Sequence, residues 1–330
     1  MLLPDGTALL ATVCNTTPNA VPFSLWLARS DGEYLIDLSD VLGQPGDGGL
    51  TGLAYCGNRF YAAVQSSDTP RILVLDRRLD PVGVITSPEF ADIHSIHVAG
   101  NALLVCSTGA QSVIRVDLTD QHTTTLCSFE APVHLNSACF GGSELLVCCH
   151  YPDRVVPEAV GGGIITANGR RVVLVGLGQP HSLEPDNNGF LVLDSDGHGV
   201  IRFDHSGVRQ RRTLDGFLRG IAASGGSIFI ASSAGRVISR KNPAVRDVSH
   251  FWNTMAEKVC IYELDETTLQ AKAEHFPVVA GFEIYALLAV EGGHVMEIAS
   301  ERLIPANIQS MSRVYYEAAK RALAEMHQRR

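Results

Sequence analysis

The 330-residue chain can hold one large all-β domain or two ordinary domains, and its 45 % apolar and 18 % charged composition excludes disorder on a large scale. A net charge of −9, with no Lys/Arg cluster longer than a pair before the C-terminal residues, lacks the electrostatic footprint of a nucleic-acid binder. No apolar stretch approaches the ~20 residues of a membrane-spanning helix, and the eight cysteines are scattered through apolar runs without a CxxC. A soluble, cytoplasmic protein with reduced, buried thiols is expected, with no nucleic-acid or membrane partner.

In chain order, the opening MLLPDGTALLATVC lacks the basic start of a signal peptide and is interrupted by Pro4, Asp5 and Gly6, so it reads as a strand. ALLATVC, FSLWLA and EYLIDLS then precede a repeat. Each of six segments has a short apolar strand, a tight Gly or Asn turn and a second strand. They begin at Thr51, His94, His134, His181, Arg219 and Glu283, spaced 43, 40, 47, 38 and 64 residues apart. Strand-like runs with period-two alternation lie between them, at 71–76, 112–118, 170–176 and 199–204.

Four short strands per unit is the count of a propeller blade, so the expected fold is an all-β, six-bladed β-propeller over residues 1–302. The N-terminal strands are expected to complete the blade begun near Glu283, which removes exposed sheet edges. The segment 239–258 is not strand-like and reads as an inserted loop over one face. Residues 303–330 read as a C-terminal helix, with Ile308, Met311, Val314, Tyr315, Ala318 and Leu323 at helical spacing. That helix either packs on the rim or pairs with a second copy as a homodimer.

In a propeller the first strand of each blade lines the central channel, so aligned repeat positions converge into a ring. The ring read from the repeat is Thr51, His94, His134, His181, Arg219 and Glu283, with Tyr285 the competing residue in the last unit. Three imidazoles from separate blades can meet about 2.0–2.1 Å from a divalent ion and leave positions open for water or substrate. His94, His134 and His181 are therefore the expected ligands of a divalent metal ion: zinc, iron, nickel or copper. The competing reading is a metal-free polar channel. The nine remaining histidines, His97 and His150 among them, show no such register.

Arg219 offers a planar fork of donors to a carboxylate, phosphate or sulfate, unless it is paired with Glu283 or Asp215. Glu283 and Tyr285 are the candidates for acid–base work. Asn136, Ser95 and Ser182 stand beside the histidines. The DSDG at 194–197 reads as a turn, and no GxSxG or phosphate loop is present.

With these motifs in place, PHSLEP from residue 180, GFLVLDS, DGFLRGIA from 215 and FEIYALL from 282 resemble a family of bacterial six-bladed propellers left as a domain of unknown function. The resemblance spans about residues 90–295 and implies the fold. By architecture the His ring is similar to the three-histidine centre of peptidyl-hydroxyglycine lyase and, more loosely, to the streptogramin lyases. Calcium-dependent lactone-hydrolysing propellers share the shape, but their acidic and Asn ligands are replaced here by histidine.

The combined expectation is a metal-dependent enzyme acting on a small anionic metabolite by elimination, isomerisation or cyclisation. Hydrolysis by metal-bound hydroxide and a non-catalytic propeller that binds a ligand or protein are the alternatives.

Overall fold

The computed structural model describes residues 3, 6–14, 21–167, 171–187, 189–233, 259–277, 279, 283–295 and 298–306. In chain order the first strands are β1 (Thr7–Cys14), β2 (Leu25–Arg29) and β3 (Gly32–Ile36). Five sets of four follow: β4–β7 (Asp47–Cys56, Arg59–Ser66, Arg71–Leu75, Pro81–Ile85), β8–β11 (Ile93–Val98, Ala102–Ser107, Ser112–Asp117, Thr123–Ser128) and β12–β15 (Leu135–Gly141, Glu144–Cys149, Gly162–Thr166, Val172–Leu177). The last two sets are β16–β19 (Pro180–Asp186, Gly189–Asp194, Gly199–Asp204, Gly207–Thr213) and β20–β23 (Phe217–Ser224, Ser227–Ser233, Cys260–Asp265, Ala271–His275). β24 (Glu283–Glu291) and β25 (Leu303–Pro305) end the described chain. The molecule is all-β, and its only helical elements among the described residues are three-residue 3₁₀ turns.

Four of these sets are separate antiparallel sheets of four strands. β4–β7 joins a larger sheet through the single pair Cys14↔Gly49; on the other side of that pair β1 lies between β24 and β2, followed by β3 and β25. The N-terminal strand thus pairs with a strand from the end of the chain. In three of the sets the outermost strand carries charged or hydroxyl side chains. β9 (ALLVCS) and β13 (ELLVCC) are buried on both faces, whereas β11 (TTTLCS), β19 (GVRQRRT) and β23 (AKAEH) are largely exposed. Charged and hydroxyl side chains on these outermost strands discourage pairing with another molecule's edge.

The first strands β4, β8, β12, β16, β20 and β24 each pack on the next, and β24 returns to β4. Hairpin register aligns them. The pairs Tyr55↔Phe60, Val98↔Leu103, Phe140↔Leu145, Pro185↔Phe190 and Ala223↔Ile228 are equivalent, and the four residues counted back from each first member end at Thr51, His94, Asn136, His181 and Arg219. In the last strand the same level falls on Tyr285, because the preceding carbonyl of Ile284 accepts the Ser233 hydroxyl as the Ile93 carbonyl accepts that of Thr51.

The next residue in every strand is small: Gly52, Ser95, Ser137, Ser182, Gly220 and Ala286. A Cβ on Gly52 would stand 2.5 Å from the Ile96 nitrogen, and one on Gly220 2.7 Å from that of Leu287. The serines bond across instead, Ser137 Oγ accepting the Leu183 N–H and Ser182 Oγ donating to the Arg219 carbonyl. Small side chains at this level let the inner strands close tightly enough to bring the ring residues into contact.

The segment 239–258 and residues 307–330 lie outside the described residues, so the inserted loop and most of the expected C-terminal helix fall there. Residues 303–305, placed at the start of that helix by sequence, form β25 on the edge of β3. No helix of the described residues is long and apolar enough to cross a membrane.

Candidate functional site

A small cavity of about 40 Å³ at the inner strands is lined at its ring level by His94, Asn136, His181, Arg219 and Tyr285. Here the structure differs from the sequence-derived ring at two positions. Asn136 stands where His134 was expected, and His134 precedes its strand by one residue, with φ 56. In the last strand Tyr285 lines the cavity, while Glu283 is buried beside Cys14, whose Sγ donates to Oε2 at 3.3 Å. His94, His181 and Arg219 stand at the expected level.

The ring residues are locked by hydrogen bonds that fix which nitrogen carries a proton. Asn136 Nδ2 donates to the Pro180 carbonyl at 2.8 Å, which turns Oδ1 toward His94 Nδ1 at 2.9 Å. An amide oxygen only accepts, so His94 Nδ1 is the donor. His181 Nδ1 lies 2.8 Å from the Gln179 carbonyl and 2.8 Å from Ser195 Oγ, whose hydroxyl donates to the Leu218 carbonyl. Nδ1 of His181 therefore carries the proton and Nε2 is left as the acceptor. Burial, reinforced by the charge of Arg219 and by His150 and His94, holds His181 well below the ordinary imidazole value, against the opposing Gln179 bond. It is a neutral imidazole.

Arg219 is 6 % exposed. Its guanidinium carbon lies 5.0 Å from the Phe217 ring centroid and 4.7 Å from that of Tyr285, so aromatic rings cover it. Nε and Nη1 are buried without a hydrogen-bond partner among the described residues. Among those residues no ion pair joins it to Glu283 or Asp215; the main-chain carbonyl of Asp215 accepts from Ser232 and Tyr262.

His150, which shows no repeat register in the sequence, belongs to this cluster. It stacks on His134 at 4.3 Å and 17°, and meets His181 edge-on at 5.3 Å. His94 meets His134 edge-on at 5.3 Å, and Tyr285 touches both His94 and His181, at 5.8 and 6.5 Å between centroids. The hairpin explains the placement: Leu135 pairs with Cys149, and the His150 N–H bonds the His134 carbonyl. Ser195 is delivered to His181 in the same way, one residue after the pair Pro180↔Asp194.

The expected three-histidine metal centre is not formed by this arrangement. Among the described residues no group of three or more His, Cys, Asp or Glu side chains is placed to hold a metal ion. The reason is register. An amide, rather than an imidazole, stands between His94 and His181, and His134 lies before β12, stacked on His150. Asn136 thus takes the ring position expected for the second imidazole.

No family model matches the sequence, and no curated protein matches it. Among solved structures, a chain of a nidogen/laminin complex aligns with 12 % identity and a TM-score of 0.61, covering 89 % of this chain and 100 % of that one. A streptogramin B lyase aligns with 11 % identity and a TM-score of 0.46 over 71 % of this chain and 70 % of its own. Regucalcin from Agrobacterium tumefaciens, a calcium-binding protein, aligns with 12 % identity and a TM-score of 0.49 over 72 % and 77 %. The class that the nidogen/laminin chain and the sheet arrangement define is the β-propeller. At such identities the likeness is one of fold.

Proposed function

We propose that this chain is a six-bladed propeller enzyme acting on a small anionic metabolite in its central cavity. The count of six treats β24–β1–β2–β3 and β4–β7 as separate blades, which the single residue pair joining them supports. Arg219 holds the anionic group. His181 Nε2, the lone-pair nitrogen of a neutral imidazole, takes and returns a proton, and Tyr285 walls the site. Proton abstraction followed by elimination or isomerisation suits a base beside a fixed cation, because the guanidinium also stabilises negative charge developing on the substrate.

The observation that carries this reading is the buried guanidinium with two N–H donors unbonded among the described residues. Such donors cost about 1–3 kcal/mol each when left unsatisfied, and a carboxylate or phosphate satisfies them. Calorimetric titration with phosphate, sulfate and acetate tests it. At least one binds the wild-type protein and none binds Arg219→Met. Binding that survives in Arg219→Met, or no binding of any of the three to wild type, overturns the reading.

A further inference from the structure

The cavity continues past the ring level, and its second charged pole has no place in the reading above. Three residues along from His94 and His181 on the same strands are His97 and Glu184, both lining the cavity. His97 Nε2 lies 3.2 Å from Glu184 Oε2, although their strands β8 and β16 are separated by β12. The pair therefore bridges two strands that are not neighbours, passing the level of Cys139. Between this pair and the ring, Ser95, Ser137 and Ser182 line the cavity one residue beyond their ring positions, and Leu53, Ile96, Ile221 and Leu287 two residues beyond theirs. The cavity thus runs from a cation, through a collar of hydroxyl and apolar side chains, to a carboxylate.

We propose that the ligand is bipolar: an anionic group bound by Arg219, a short methylene chain in the collar, and a protonated amine on Glu184. This deepens the reading of Arg219 as an anion anchor and rests on it. Three regular strand residues span about 10 Å at ~3.3 Å each, an upper limit on β16 because its ladder is bulged between His181 and Glu184. A hydrogen bond of about 2.8 Å at each end leaves about 4 Å between ligand oxygen and nitrogen, the span of a chain of roughly two to three carbons. Glu184 is the carboxylate lining the cavity, and an ammonium has no acceptor of equal strength there. Burial raises the Glu184 carboxyl above its ordinary value and the facing His97 opposes the rise, so the carboxylate is one that a further cation would stabilise. The other titratable or charged groups facing the cavity are His94, His181, Arg219 and Tyr285.

Matched pairs of ligands test the proposal by calorimetry: acetate against glycine, propanoate against 3-aminopropanoate, and butyrate against 4-aminobutyrate. In the wild-type protein at least one amino acid binds about tenfold to a hundredfold more tightly than its partner, the range of one charge-assisted hydrogen bond. Glu184→Gln abolishes that preference and keeps carboxylate binding, whereas Arg219→Met loses both. Glu184→Asp withdraws the carboxylate by one methylene and shifts the preference to a longer chain. Far-UV circular dichroism establishes that each variant is folded. Equal binding within every wild-type pair, a preference that survives Glu184→Gln, or an unchanged preferred length in Glu184→Asp overturns the bipolar ligand and leaves the anion anchor standing. If neither member of any pair binds wild type, the bipolar ligand fails, and phosphate and sulfate binding decides whether the anchor stands.

Discussion

Replacing Arg219 by Met separates a residue kept for a ligand from one kept for the fold. In the ligand-free protein Nε and Nη1 are buried and unbonded among the described residues, at about 1–3 kcal/mol each, or roughly 2–6 kcal/mol together. Contacts with the Phe217 and Tyr285 faces return about 0.5–2 kcal/mol each, or roughly 1–4 kcal/mol. The balance is on the order of 1–2 kcal/mol against arginine. Methionine fills the same space and its sulfur packs well on aromatic rings. Urea unfolding without anion is therefore expected to show Arg219→Met as stable as wild type or more stable by that amount. An anion at a hundred times its Kd adds about 2.7 kcal/mol to the wild type alone. A loss of more than about 2 kcal/mol in the anion-free variant would show that the guanidinium is a structural partner within the fold, and the reasoning would fail.

Two further outcomes follow from the same geometry. Gly220→Ala places a Cβ 2.7 Å from the Leu287 nitrogen and 2.9 Å from the Ala286 carbonyl carbon, backbone atoms that cannot rotate away. It should lower thermal stability by about 1–3 kcal/mol, while Gly293→Ala, which meets nothing within 4 Å, should change it by less than about 0.5 kcal/mol; equal effects would contradict the close packing of β20 on β24. For His181, the folded protein binds fewer protons than the unfolded chain between the lowered folded value and 6.5. Its contribution is therefore complete above about pH 6.5 and is lost as the pH falls below it. The urea midpoint of His181→Gln should decline less between pH 7.5 and 5 than that of wild type, and parallel declines would count against a neutral buried imidazole.

The strands were legible because their apolar content and turns recur at a period near forty residues. The runs at 71–76, 112–118, 170–176 and 199–204 lie on β6, β10, β15 and β18, and the N-terminal strands on β1 to β3. The ring was legible where the interval from the inner residue to the turn is constant. His94 and Arg219 lie six residues before Gly100 and Gly225, which adopt positive φ of 61° and 58°. The same interval before Gly142, with φ 65°, reaches Asn136, so aligning on the next histidine placed that unit two residues early. His150 and Ser195 were hidden for another reason: each reaches the site on the strand after the inner one, and only hairpin pairing brings it back. His97 and Glu184 meet across an intervening strand, a contact that no spacing within one repeat encodes.

The most direct test of the anion anchor is anomalous diffraction from crystals soaked in tungstate, an oxyanion whose position is read without ambiguity. The account predicts a peak within hydrogen-bond distance of the Arg219 guanidinium, on the cavity side facing His94 and His181, and its loss in Arg219→Met crystals. Tungstate confined to exposed arginines, with Arg219 paired to a carboxylate of the protein, would contradict it.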